Sequence, residues 1–274
     1  HSPTPLLNTT YNVIGTDVNG CEDTDQVIVT VGVCGLPPVS SFSASDSSIC
    51  IGDCINFSDL SQNLPTGWTW YFFGADSLTS SLQNPTNICY NTAGSFDVAL
   101  VTTNTNGSDS LFIADFITVN ALPVITTSPD TAICLGDNVD LTANGANTYT
   151  WDNGLGAGQS QTASPIVFTT YTVTGTDLNG CVNTAQVDVS INSLPTLITS
   201  PDTVICLNDT LKLTADGALT YTWDNGVGAG ADHNIFPTAN TTYIVTGTDA
   251  NGCSSSSPVN VIVNGLPTVI ASND

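Results

Sequence analysis

Positive charge is almost missing from this chain. Its 274 residues include a single lysine, Lys212, and no arginine, against 24 acidic side chains, for a formal net charge of −23. Nucleic acid is excluded as a partner, because holding a phosphate backbone requires lysine and arginine. An anionic membrane surface is excluded on the same ground, and self-repulsion at this charge favours solubility and keeps tandem units apart. Methionine is also absent and the chain opens on His1, so the sequence reads as a mature or internal piece, with any leader already removed or lying outside it. Hydrophobic residues make up 41% of the chain but come in short runs. None approaches the roughly 18 apolar residues of a membrane helix, and no membrane insertion is expected. Histidine is limited to His1 and His233, the latter in a Gly-Ala-Asp-His-Asn stretch that reads as a solvated loop. No Ser–His–Asp or Cys–His set can be assembled, and the acids are scattered in turns, so the chain is not expected to be an enzyme.

What the chain does have is repetition. TTYTVTGTDLNGC, from Thr169 to Cys181, recurs as TTYIVTGTDANGC from Thr241 and as TTYNVIGTDVNGC from Thr9. The later copies stand 72 residues apart, the first two 160. Leu122, Leu194 and Leu266, each followed by proline, keep the 72-residue period, which marks an array of small similar domains. Two full units are expected at 122–193 and 194–265. Residues 1–33 form the C-terminal half of a repeat, and 266–274 the first strand of another. Residues 34–121 are a different module that breaks the cadence. Within each unit the pattern is β: Ala185 to Asn192 alternates apolar and polar side chains, the period of a strand with one buried face. Asp177-Leu178-Asn179-Gly180 separates two such runs, a hairpin signal. Six or seven short strands and no helical period predict an all-β fold of tandem β-sandwiches in an extended array.

The nine cysteines point to an oxidising compartment. Cys134 and Cys181 are 47 residues apart, as are Cys206 and Cys253. This equal spacing predicts one disulfide inside each repeat, closing a loop that stabilises a small domain by roughly 4 kcal/mol in the chain-entropy model. No CxxC motif suggests a metal site.

The stretches ICLGDNVDLTA, TYTWDNG and TTYTVTGTDLNGC resemble the Ig-like repeats of large bacterial surface proteins exported by type IX secretion, with Trp151 and Trp223 as the sandwich tryptophans. The middle module is similar to a PKD domain, another Ig-like sandwich. Trp70 with Phe72-Phe73-Gly74 fits its W-x-F-G signature, and Ala93 to Leu100 fits its A-G-T-Y-x-V-x-L strand; Gly74-Ala75-Asp76 departs from the usual G-D-G. That resemblance makes the strands of Cys54 and Cys89 neighbours, with both cysteines on the outer face, and implies a Cys54–Cys89 bond. Cys34 and Cys50 remain as a second pair, and Cys21 is left unpaired within the chain. The next repeat cysteine in register, at 278, falls past the end. Two readings of the termini stand: a segment of a longer array, or head-to-tail subunits in which one terminal strand completes a neighbour's sandwich.

Asp17, Asp177 and Asp249 open Asp-x-Asn-Gly turns that look like the start of a calcium loop but lack its downstream glutamate. Hairpin turn and weak calcium ligand are the two readings. Bacteria with the implied secretion route attach O-glycans at Asp-Ser/Thr before a small aliphatic residue. Ser77, Ser110, Thr131, Thr203 and Thr210 stand in such triplets. The function expected is a structural repeat segment of an extracellular, cell-surface adhesin or filament, a disulfide-stapled stalk or fibre. Its partners are neighbouring repeats or identical subunits head to tail, with a glycan or surface ligand also open. The alternative is a carbohydrate-binding module array, for which Trp68 is the one candidate sugar platform, with core or edge packing as the favoured reading of that side chain.

Overall fold

The computed structural model describes residues 9–30 and 35–270. The chain divides into two compact units at Leu122/Pro123. Among the described residues there is no helix, and hence none long and apolar enough to cross a membrane.

In the second unit the same pair of sheets is built twice. The five-stranded sheet of the first copy runs in the order Thr131–Cys134, Val182–Asn192, Thr169–Thr176, Thr148–Trp151, Gly156–Ala157. Facing it are three short strands, Thr126–Thr127, Val139–Asn144 and Ser160–Ala163. Every element recurs 72 residues later, from Ile198–Thr199 to Ser254–Asn264. Alternation explains the layering. Tyr171 and Val173 point inward opposite Val187 and Ala185, and Trp151 lies beside Val173. With Leu141, Ala143 and Ala163 from the facing strands they close a core in which Leu141, Val173 and Val189 are fully buried. Leu213, Trp223, Val245, Val259 and Val261 form the equivalent core of the second copy.

The outer faces carry threonine rather than charge. Thr150 sits opposite Thr174, which sits opposite Thr184. Thr170 donates to Asp188 at 2.6 Å, and Thr242 to Asn260 at 2.8 Å. β-Branched threonine suits the pleated strand while its hydroxyl hydrogen-bonds across it. An exposed face almost without cations is thus held by hydroxyl and amide contacts. Lys212 makes an exposed ion pair with Asp232 at 3.0 Å, a geometry of small energetic weight.

In the first unit, the strands Thr9–Thr16 and Glu22–Val29 pair antiparallel as a lone hairpin. Beyond it, residues 42–120 form a second type of sandwich. Its main sheet orders Ser48–Cys50, Gly107–Asn120, Gly94–Asn104, Gly67–Phe72 and Thr79–Ser80. Phe42–Ala44 pairs with Phe57–Asp59, and Cys54–Ile55 with Ile88–Cys89. The core is aromatic: Trp70 stacks on Phe72, and Phe42 meets Trp70 edge-on. Tyr90 is fully buried there, and its hydroxyl has no hydrogen-bond partner. Desolvation pushes its pKa up to about 12.

One element was not anticipated. Thr131–Cys134 is a strand running parallel to Val182–Asn192, with Cys134 opposite Asn192. Thr203–Cys206 does the same beside Ser254–Asn264. His233, expected in a solvated loop, lies instead in the strand Asp232–Ile235 opposite Leu213.

Candidate functional site

Two small turns recur along the chain, and each holds a cysteine. The first is the Asp-x-Asn-Gly-Cys hairpin. In all three copies the aspartate Oδ1 accepts two backbone N–H groups, from the asparagine two residues on and the cysteine four on. The distances are 2.8 and 2.9 Å at Asp17, 2.8 and 2.8 Å at Asp177, and 2.9 and 2.8 Å at Asp249. The aspartate N–H in turn donates to the cysteine carbonyl, at 2.9, 3.0 and 2.9 Å. The following glycine takes φ of +84°, +85° and +85°, the left-handed conformation such a turn demands. Oδ1 of each aspartate is therefore engaged by the turn itself. No group of three or more potential metal ligands occurs among the described residues.

The second turn follows the parallel edge strand: Cys50-Ile-Gly-Asp53, Cys134-Leu-Gly-Asp137 and Cys206-Leu-Asn-Asp209. In each, the aspartate N–H donates to the cysteine carbonyl at 3.0 Å. The third residue, Gly52, Gly136 or Asn208, takes φ of +90°, +96° or +78°. The residue after the cysteine donates to the end of the last strand, at Asn120, Asn192 or Asn264. This turn therefore lies where the last strand of its domain ends. The hairpin cysteine lies where that strand begins.

That placement overturns the pairing expected within each repeat. Cys134 is level with Asn192, whereas Cys181 precedes Val182 on the same 11-residue strand. At about 3.3 Å per residue they are roughly 35 Å apart, far beyond the roughly 7 Å Cα separation a disulfide can span. Cys206 and Cys253 are separated by Ser254–Asn264 in the same way. Instead Cys134 is bonded to Cys253 of the next repeat, with Cα atoms 5.5 Å apart and a sequence separation of 119. Because 119 exceeds 47 by one repeat, both pairings obey the periodicity. Only the position of the Thr131–Cys134 strand distinguishes them. Cys206 is an exposed free thiol rather than a disulfide partner of Cys253, and Cys21 is likewise exposed and free. Cys50 and Cys181 are both disulfide-bonded. The Cys34 half of the expected Cys34–Cys50 pair lies outside the described residues. In the 42–120 sandwich Cys54 is bonded to Cys89 directly across the strand pair, Cα to Cα 3.9 Å.

The aspartates of the glycan-type triplets all have structural partners. Asp76 accepts from Ser77 and Cys89, Asp109 from Ser40, Asp130 from Asp188, Asp202 from Asn260 and Asp209 from Cys206. Hydrogen bonds from Ser40 and Ser110 hold the Asp109 carboxyl below its usual range, and those from Asn260 do the same at Asp202. Ser77, Ser110 and Thr210 are exposed, whereas Thr131 and Thr203 are half-buried. Thr203 donates its hydroxyl to Pro201 at 2.8 Å.

Trp68 is not a free-standing platform. It is half-buried against the aromatic core, and its Nε1 donates to Asp59 at 2.7 Å. Burial tends to raise the Asp59 pKa, but hydrogen bonds from Ser61, Trp68 and Gln83 outweigh it, and the net shift is downward. The exposed aromatics of this sandwich are others: Tyr71, Phe73 and Phe112, with Phe73 and Phe112 edge to face at 6.2 Å; in the two repeats Phe168 and Phe236 are exposed. Trp151 and Trp223 are core residues whose Nε1 groups donate to Gly158 and Gly230. A depression of about 620 Å³ is lined by residues including Leu36, Asn63, Leu64, Asn104 and Asn106, with no acid, base or thiol among its lining residues.

No protein-family model matches the chain, and no curated protein does. Similar solved structures are tandem Ig-domain proteins. A three-Ig fragment of titin, I67–I69 in an E-to-A variant, aligns at TM-score 0.41 with 10% identity, over 83% of this chain and 99% of the fragment. The N-terminal eight Ig domains of Down syndrome cell adhesion molecule align at 0.34 and 14% identity, over 93% of this chain and 38% of that one. A Ca2+-stabilised adhesin with which an Antarctic bacterium reaches out and binds ice aligns at 0.37 and 15% identity, over 93% and 82%. By its own sheets and cores, this chain is an all-β protein of tandem Ig-like sandwiches.

Proposed function

We propose that the chain is a load-bearing segment of a secreted cell-surface adhesin or extracellular filament, in which sandwich domains act as a disulfide-stapled stalk or fibre. The observation that carries this reading is the Cys134–Cys253 bond. A bond inside one domain would stabilise that domain. A bond from the exit end of one domain to the hairpin of the next instead gives tension a covalent route past the strands between them. Residues 135–252 are removed from the path along which a pull at the two termini is transmitted. An abundance of cystine fits an oxidising exterior, and the poverty of titratable side chains fits a mechanical rather than a chemical role.

Pulling the chain by its ends in a single-molecule force experiment tests this. Oxidised protein should lengthen on unfolding by at least about 400 Å less than fully reduced protein, the reach of a separation of 119 at roughly 3.4 Å per residue, with the other disulfides adding to the difference. Equal extension in the two states would refute the load-bearing reading.

Type IX export and O-glycosylation belong to the same proposal. Exposed Ser77, Ser110 and Thr210 are the favoured glycan acceptors, and an intact mass of 28.3 kDa for native material would remove them. The second reading, an array of carbohydrate-binding modules, draws on the exposed Tyr71, Phe73 and Phe112 cluster. The edge-to-face packing of two of these rings does not present one flat sugar platform. Polysaccharide retention that disappears on Tyr71→Ala and Phe112→Ala would favour it.

A further inference from the structure

The outer face of the 42–120 sandwich differs from the threonine faces of the two repeats. Tyr71, Ala99 and Phe112 stand in one cross-strand row, because Ala99 is opposite both rings. Tyr71 and Phe112 are 41% and 56% exposed, while Trp70, Phe72 and Leu100 beside them point inward and are fully buried. Phe73 extends the Gly67–Phe72 strand by one residue, and its N–H donates to the Asp97 carbonyl at 3.2 Å. Its ring is 48% exposed and meets Phe112 with the planes 76° apart. Three large rings thus share a face that elsewhere carries small side chains such as Thr69, Thr103 and Ser110. Exposed apolar patches of this kind mark interaction sites.

Two carboxylates stand at the end of this row. Asp97 lies two residues before Ala99, between Phe96 and Val98 of the core, so alternation turns it to the ring face. Its Oδ1 accepts the Asp115 N–H at 2.8 Å, which brings the exposed Asp115 beside it. Asp115 takes φ of +52° where the ladder shifts register between Phe96 and Val98, a bulge of the kind that re-aims side chains. The sandwich offers neither acid an opposite charge: residues 42–120 hold seven aspartates and no lysine, arginine or histidine. Lys212, the one lysine of the chain, is paired with Asp232. Rings and carboxylates together suit a cation that these 274 residues do not supply, and a second copy would bring the same shortage and another −23 of charge.

We propose that this face docks a cationic segment of a partner polypeptide, with an arginine or lysine side chain lying across Tyr71, Phe73 and Phe112 and its charge turned toward Asp97 and Asp115. A cation within about 6 Å of a ring centroid is drawn to the negative face of the π-system. Arginine can stack on a ring and pair with a carboxylate at once. Rings set near perpendicular form a corner, which fits a slender cationic chain better than a flat sugar. The net charge steers basic partners toward the molecule and repels acidic ones. This goes beyond the load-bearing reading by giving the segment a lateral grip, and it does not depend on the Cys134–Cys253 tie.

The probe is a fluorescent peptide of alternating arginine and glycine, compared with the same peptide carrying neutral citrulline in place of each arginine. Anisotropy titrations of the full oxidised chain are run at about 0.15 M salt, where charges beyond roughly 8 Å are screened. The arginine peptide should bind and the citrulline peptide should not. Phe112→Ala and Tyr71→Ala should each weaken binding about two- to fivefold. Asp97→Asn keeps an oxygen for the Asp115 N–H and should weaken it by up to about fivefold. Asp216→Asn makes the same charge change in the second unit and should leave affinity unaltered. Thermal melting checks that each variant is folded. Equal binding by wild type and both ring variants would reduce the interaction to diffuse attraction and overturn the proposal. So would equal binding of the citrulline peptide, or no binding of either. Retention on cellulose or chitin that Phe112→Ala abolishes, with the arginine peptide unbound, would overturn it in favour of a sugar site. None of these results touches the pulling experiment, which depends on Cys134 and Cys253.

Discussion

Two tyrosines illustrate how much a single hydroxyl decides at the residue scale. Tyr149 donates to the Ala146 carbonyl and accepts from the Ala146 N–H, both at 2.8 Å. Tyr149→Phe strands both backbone groups, and equilibrium denaturation should show a loss of about 1–3 kcal/mol. Tyr90 has no such partner for its buried hydroxyl. Tyr90→Phe should be neutral or stabilising by up to about 1 kcal/mol. Its titration makes a second, independent reading. The folded sandwich keeps the phenol proton up to about pH 12, whereas the unfolded chain releases it near pH 10. The contribution of Tyr90 to stability is thus complete below pH 10 and drains away between pH 10 and about 12. The stability difference between wild type and Tyr90→Phe should be constant below pH 10 and change across that window. At the acid end the sign reverses. Asp59 has a lowered pKa in the fold, so its contribution is present above about pH 4 and is lost as pH falls through the lowered value.

At the scale of the element, the same hairpin sequence occupies two environments. Gly175→Ala and Gly247→Ala place a methyl group against Ala146 or Ala218 at 2.9 Å and against the leading strand at 2.4 Å. Overpacking of this kind costs about 1–3 kcal/mol. Gly15→Ala meets open space and should leave the melting of the isolated chain unchanged. A loss at Gly15 equal to that at Gly247 would mean that the first hairpin is covered in the single chain. The aspartate of the hairpin turn is a more uniform element. Asp177→Ala or Asp249→Ala removes the one oxygen that accepts two backbone N–H groups, and a cost of about 1–2 kcal/mol per turn is expected. Calcium should leave the melting of the wild-type chain unchanged, because Oδ1 of each turn aspartate is spent on the backbone.

At the scale of the whole molecule, the consequential feature is that two repeats with separate cores share one covalent tie. Closing a loop of 119 residues restricts the unfolded chain by about 5 kcal/mol in the chain-entropy model. Cys134→Ser should therefore lower the thermal stability of both repeats together, as seen by calorimetry, although it lies in only one of them. A deficit confined to the repeat carrying Cys134 would mean that the tie is energetically idle.

Much of this architecture was legible in the residues. The 72-residue period, the period-two alternation through Tyr171, Val173, Val187 and Val189, and the Asn-Gly turns each report on contacts made within a few residues or across one hairpin. The parity of Cys54 and Cys89 did the same once their strands were taken as neighbours. Cysteine pairing between repeats did not yield to that reasoning, because a periodic sequence looks the same whether Cys134 turns back to its own hairpin or forward to the next. The Thr131–Cys134 segment carries too few residues to announce itself as a strand, and His233 was misplaced for a similar reason. Local pattern, set by side-chain alternation and turn chemistry, determined the strands and their layers. Only the tertiary structure decided which end of the sheet each thiol occupies, because a parallel edge strand carries its cysteine some 35 Å along the sheet from the hairpin, beyond what any disulfide can span.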